Sequence, residues 1–468
     1  MHVKPMFNFL FILISLGVLF VMSDPRVDFI LATKTAKTGM PQSYRIEPSF
    51  WTSIRSEPND PEATAERIIA SFGLNIYDGA CFQIAAVLGG HADVARRHTL
   101  RMLSGRSGDI DLLAGPPAFS YGTMAAKVTP PDLPYFMRTI TDQYVHSDPL
   151  TGKAVDWMDW KPITGENAWA NLIGPLQSLY LARGQEMVYG DPEIQLAVSR
   201  LQVFKAMQSP IGGIFYAANG TPDVGDYTEV SVENNASTLA GLRLLREILE
   251  MVHGPPDKIA LIDEICHGIV SFLREVAYDK KTGVFIQGGV LEGDKLMPSN
   301  DFAVDCQSWG LTILGQADVD SWFGTGTAYK IWETTKSRAG VFDRHGRLLG
   351  VGYTDGHKIM SSEWTFGAIN MCRVLASQYA NIDARISASF AADAKSMFDG
   401  VQSLKVQLPD KTVSYKYASE RYWIPFGWWA NPVPSMTSTS WSIMLDYGVN
   451  PFVLGNVIIR EPSPGDIE

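Results

Sequence analysis

Glu166-Asn-Ala-Trp-Ala-Asn-Leu, Glu233-Asn-Asn-Ala-Ser-Thr-Leu and Asp305-Cys-Gln-Ser-Trp-Gly-Leu share one plan. A loop rich in glycine and aromatics ends in an acid, and an apolar helical pattern follows. The plan recurs at Asp78-Gly-Ala-Cys-Phe-Gln and Glu363-Trp-Thr-Phe-Gly-Ala-Ile, and without the acid at Ser438-Thr-Ser-Trp-Ser-Ile. Successive copies lie 58 to 88 residues apart, about the chain that a helical hairpin with a long loop uses. Recurrence at such a spacing is the mark of a repeat architecture. An acid at a helix start is also what the helix dipole favours. That alone does not explain why Trp or Asn follows most of the acids.

Helical periodicity, with apolar residues at i, i+3, i+4 and i+7, runs through much of the chain from Pro61 onward. It is read in IAAVLGGHADVARRHTLRML, PYFMRTITDQYV, EIQLAVSRLQVFKAMQ, DKIALIDEICHGIVSFLREVAY and RISASFAADAKSMFDGV, among others. PEATAERIIASFG opens with proline at a first helical position and an acid in the first turn. Strand-like runs are short, GGIFYA (212–217), GVFIQGG (283–289) and KTVSYKYA (411–418), and sit between helices rather than alternating with them.

The pattern resembles the (α/α)6 and (α/α)7 toroids of glycoside hydrolases and polysaccharide lyases. The resemblance covers roughly residues 61–450 and is one of architecture, without a family motif. It implies a mainly α fold of six or seven helical hairpins, with short β-hairpins in the cleft-side loops. The N-terminal ends of the inner helices would then surround one cleft, where acids and tryptophans converge.

Around that unit the chain reads simply. Met6–Met22 is uncharged and apolar, follows Lys4 and ends at a polar break, as a signal peptide or signal anchor does. Residues 24–60 are polar and read as an irregular arm, and 61–468 as a single toroid domain. The 468 residues are 46% apolar and 19% charged, too apolar for a disordered chain. With 39 basic and 50 acidic residues the net charge is −11, which argues against a nucleic-acid partner. The expected partner is a carbohydrate substrate, and a membrane only through the N-terminal segment. Cys81, Cys266, Cys306 and Cys372 are too scattered for a zinc site, and an oxidising compartment would permit a disulfide. Asn219-Gly-Thr and Asn235-Ala-Ser match the glycosylation acceptor pattern. No phosphate-binding loop, zinc-protease helix or nucleophile elbow occurs, and nothing asks for a cofactor.

Glycoside hydrolysis needs one carboxylic acid for the leaving oxygen and a second carboxylate to activate water or attack. Glu166, Glu233, Asp305 and Glu363 are the catalytic candidates, with Glu233 and Asp305 the first pair because their flanks are the most polar. Asp355 is a further acid in the loop Gly352–Trp364. Sugar rings present apolar faces, so Trp169, Trp309, Trp364 and Trp441 are expected platforms. The loop Tyr417–Ser435 is the densest aromatic cluster and contains Tyr422 and Trp423. A lyase would instead draw on Tyr227, Tyr353, Tyr422, His357 and Arg421, with Asn234 or Asn235 as amide donors. A glycan-binding protein would keep the aromatics without an opposed acid pair. The Gly/Pro-rich segment Gly105–Lys127 is a candidate lid.

Overall fold

The computed structural model describes residues 24–108, 110–113, 135–218, 221 and 228–455. The leader, Tyr227, Asn219 and most of the Gly105–Lys127 segment lie outside the described residues.

The helices run in the order α1 (Pro25–Ala32), α2 (Ser49–Ser53), α3 (Pro61–Phe72), α4 (Ile76–Leu88), α5 (Ala92–Ser104), α6 (Thr164–Ala168), α7 (Gly174–Arg183) and α8 (Pro192–Ala206). Then come α9 (Val232–Met251), α10 (Pro256–Glu275), α11 (Val304–Phe323), α12 (Thr327–Ala339), α13 (Ser362–Tyr379), α14 (Ala384–Val401) and α15 (Met436–Asp446). Each copy of the repeat opens an inner helix. Those helices pack side by side in a closed ring: α4, the continuous α6–α7, α9, α11, α13, α15 and back to α4. Outside them lie α5, α8, α10, α12 and α14, each against the inner helix that precedes it. This is an (α/α) toroid of six hairpins. Short antiparallel hairpins, such as Gly340–Phe342 with Leu348–Val351, carry the chain to the next inner helix.

The inner helices are buried on nearly every side. In α9 and α13, buried residues run almost unbroken from Val232 to Leu245 and from Ser362 to Leu375. A helix with no face left to water belongs in a core. The outer helices α10 and α14 bury a single stripe each. Gly174 on α7 faces Ala80 on α4 so closely that a Cβ there would lie 2.5 Å from the alanine's Cβ. Pro175, next to it, has no N–H for the carbonyl of Asn171. The preceding Trp169–Ile173 stretch takes a π turn, with the Gly174 N–H bonded to the Trp169 carbonyl.

Two expectations need correction. The 24–60 segment is not an irregular arm throughout. Its α1 buries Val27, Phe29 and Ile30 between α15 and α4 and fills the sixth outer position. Arg26 of α1 binds Asp24 and Asp446, tying the two ends of the ring together. Second, PYFMRTITDQYV is not a helix. Tyr135, Phe136, Met137 and Ile140 are all buried, and Thr139–Ile140 pairs with Leu74–Asn75 as a strand. All four cysteines are free. Asn235 is fully buried, with its amide bonded to the Ile214 backbone and the Ser231 carbonyl. In this fold it is closed to glycosylation.

Candidate active site

The acids of the repeat sit one or two residues inside their helices, and on α4, α9 and α13 other side chains do the capping. Ser231, Ser361 and Ser435 cap α9, α13 and α15 by accepting from the N–H groups of Asn234, Trp364 and Ser438. Asn75 caps α4 by accepting from Tyr77. This is ordinary N-cap chemistry, and it leaves the carboxyls of Asp78, Glu233 and Glu363 uncommitted to it. All five acids gather at one end of the ring.

Their environments differ. Asp78 and Glu363 are buried at 6% and 5% exposure, whereas Glu166, Glu233 and Asp305 are half-buried on three successive inner helices. Glu233 accepts from the Ser237 hydroxyl at 2.7 Å and the Asn234 amide at 2.8 Å. Asn234 in turn accepts from the Gly165 N–H at 2.6 Å, which fixes α9 against α6. Asp305 accepts from the Cys306 N–H at 2.7 Å. Glu166 lies 3.9 Å from Arg138, which also faces Asp159 at 3.8 Å.

Burial, and then the charge of Asp305, hold the Glu233 carboxyl above its ordinary range. Burial also raises Asp305, and the Cys306 N–H opposes the rise. Glu363 is raised by burial and by Asp78. Asp78 is pushed up to about 6 by burial, against the hydroxyls of Ser43 and Thr437. Glu166 is raised by burial, with Arg138 pulling the other way. A crowd of desolvated carboxyls keeps part of its protons near neutrality.

That has a sign in stability. Between the unfolded and folded pKa values the native chain holds more protons than the unfolded one, so stability falls as pH rises through that window. The buried His98 has its pKa lowered to about 3 and, above about pH 7, is neutral in both states. The thermal midpoint is therefore expected to fall from about pH 7 to 8.5. Glu233→Gln should flatten the fall and melt higher than wild type at the alkaline end. A parallel decline in the variant would contradict the assignment.

The aromatics divide into floor and rim. Trp169, Trp309 and Trp441 are 1%, 4% and 0% exposed and pack on one another, on Tyr77 and on Phe452. They are a floor beneath the acids, not open platforms as expected, because their faces are spent on each other. Trp364 and Tyr353 meet edge to face at 4.9 Å and are likewise buried. Tyr44 and Tyr417 meet edge to face at 5.5 Å, and burial together with the nearby charge of Glu363 raises both hydroxyls. The rim is the hairpin of Tyr422–Ile424 and Trp428–Ala430. There Tyr422 lies 4.8 Å from His357, and Trp423 is 47% exposed against Trp429. Two expected substrate contacts are engaged elsewhere. Asp355 pairs with Arg338 at 2.7 Å. Arg421 binds Glu66 and Asn431 and lies over the Trp429 ring.

Asp78, Tyr77, Arg138 and Asp159 belong to the constellation although sequence reasoning did not name them as site residues. Asp78 carried the signal, as the first copy of the repeat. Among the described residues, no group of three or more His, Cys, Asp or Glu is placed to hold a metal ion.

No family model and no curated protein matches the chain. Solved structures do. A sugar epimerase from a ruminal bacterium aligns at 12% identity and a TM-score of 0.53, covering 91% of this chain and 96% of its own. A glycosidase variant in complex with glucose aligns at 12% identity and 0.54, covering 90% and 94%. Cellobiose 2-epimerase from Bacillus thermoamylovorans aligns at 9% identity and 0.54, covering 89% and 95%. The chain has the (α/α) toroid fold of these carbohydrate-active enzymes.

Proposed function

We propose that the chain is a carbohydrate-active enzyme that hydrolyses the glycosidic bonds of an oligo- or polysaccharide. Glu233 is the general acid, and Asp305 is the carboxylate that activates water or attacks. One observation carries the reading: two half-buried carboxyls stand in the first turns of neighbouring inner helices, the charge of Asp305 opposes that of Glu233, and among the described residues neither is ion-paired. Such a pair holds one proton between its members, which supplies an acid and a base at once. The Cys306 N–H favours the charged form of Asp305. Glu233 lies beside the charges of Asp305 and Glu166 and keeps the proton.

The placement of the histidines also favours carboxylates over imidazoles as the reacting groups. His98 packs on Phe82 from the outer helix α5, and His146 stacks on Phe72. His357 lies on the rim. Lyase chemistry is less favoured, since Arg421 is already neutralised by Glu66. No helix of the described residues is long and apolar enough to cross a membrane. The reading keeps residues 1–23 as a leader that takes the enzyme out of the cytosol.

The test incubates the 24–468 chain with neutral and uronic-acid polysaccharides and aryl glycosides. New reducing ends without ultraviolet absorbance of an unsaturated uronate are expected. Absorbance rising with the reducing ends would assign a lyase. A changed sugar configuration without cleavage would assign an isomerase, and silence on every substrate would overturn the enzyme reading.

A further inference from the structure

Next to Glu166 lies a donor–acceptor pair that the acid pair does not explain. The Arg138 backbone is fixed on both sides: its N–H donates to the Lys161 carbonyl at 2.6 Å, and its carbonyl accepts from the Ile76 N–H at 2.8 Å. Its side chain is 22% exposed and lies between Asp159 and Glu166, with the hydroxyls of Tyr216 and Tyr417 also facing it. The distances from Nε, 3.8 Å to Asp159 Oδ2 and 3.9 Å to Glu166 Oε1, are too long for hydrogen bonds. Arg138 Nε is buried and has no hydrogen-bond partner. Asp159 is 5% exposed, and its Oδ1 is likewise buried without a partner. A charged donor and a charged acceptor, both stripped of water, stand side by side. Leaving such groups unsatisfied is costly, so a site like this calls for a ligand atom.

We propose that Arg138 and Asp159 form a subsite that reads one hydroxyl of the sugar, which accepts from Arg138 Nε and donates to Asp159 Oδ1. The proposal rests on the reading of the chain as a carbohydrate-active enzyme and adds the residues that choose the sugar. A hydroxyl meets both demands with one atom. A carboxylate has no proton for Asp159, and an ammonium has no lone pair for Arg138. The subsite therefore selects a neutral ring edge over a uronate or an amino sugar at that position. The proton and charge states of the pair do not change when the hydroxyl binds.

The experiment compares wild type, Arg138→Lys and Asp159→Asn on an aryl glycoside that the wild type cleaves and on its monodeoxy analogues. Each variant is expected to lose about tenfold to a hundredfold in kcat/KM on the full sugar, the range for hydrogen bonds to charged groups. One deoxy analogue should lose a similar factor in wild type and lose nothing further in Asp159→Asn. A merely structural role would lower both substrates alike and leave their ratio unchanged, which would overturn the proposal, as would unchanged kcat/KM. If the wild type cleaves no glycoside, the hydrolase reading fails by itself. Calorimetric titration with glucose, galactose and mannose then decides the subsite. Binding by wild type that Asp159→Asn loses supports it, and no binding, or binding that the variant keeps, overturns it.

Discussion

Glu233→Gln and Asp305→Asn should each lower kcat by about 10²–10⁴-fold, the usual contribution of a positioned acid or base. Both substitutions keep the size of the side chain. An amide at 233 still accepts from the Ser237 hydroxyl, which now bonds the carboxylate at 2.7 Å, so the start of α9 should hold its shape. What is lost is the proton that the proposed pair would share. In the proposed reaction the two carboxyls act as a unit, so the double variant should lose far less than the product of the single losses. KM should change little, since neither group is assigned to ground-state binding. Removing Asp305 also removes a charge that raises Glu233, so the alkaline limb of the kcat/KM profile should move to lower pH in any residual activity of Asp305→Asn. Glu363→Gln is expected to do less, because that carboxyl is buried and already bonded by the Tyr77 hydroxyl. Full activity in either first-named variant, measured on the same glycoside, would remove that residue from the chemistry.

Phe452→Ala should destabilise the fold by about 3–5 kcal/mol, read as a shift in the urea midpoint. Phe452 is 3% exposed and closes the far side of the tryptophan floor. Its ring lies 5.4 Å from Trp169, 5.6 Å from Trp309 and 6.2 Å from Trp441. The loop that presents it is held firmly. Gln177 donates to the Pro451 and Val453 carbonyls at 2.9 and 3.0 Å, and Asn450 accepts from the Phe452 N–H at 3.2 Å and from Asn370 at 3.1 Å. Such anchoring limits how far the loop can sink into the space that alanine leaves. A cost below about 1 kcal/mol would mean that the indoles repack without the ring.

The repeat made the inner ring legible because each inner helix must start at the same rim and then run buried on nearly every side. The acids near those starts were legible for the same reason. The height of the tryptophans was not. Trp169 and Trp309 follow Glu166 and Asp305 by three and four residues. That spacing puts them on the same helix face but a turn deeper, so they become floor and not wall. A pattern of residue types gives the face and leaves depth to the packing. Arg138 and Asp159 come from chain outside the repeat. There the unbroken apolar run Tyr135–Met137 imitates a helix because every one of its side chains is buried. The α1 helix escaped notice for the opposite reason: eight residues offer too few turns for periodicity to register.

A circle built from a linear chain has a seam, and here the seam lies where α1 meets α15. Arg26 reaches the carbonyl of Ser442, 416 positions away. During synthesis, α1 leaves the ribosome ahead of the other described helices and waits for α15, the last of them. Until then Val27, Phe29 and Ile30 have only the α4 half of their burial site. Such long-range closure is slow, and the growing chain carries an open apolar edge throughout. A chaperone that recognises the unfinished toroid should find its target at that edge, and should lose it once α15 docks.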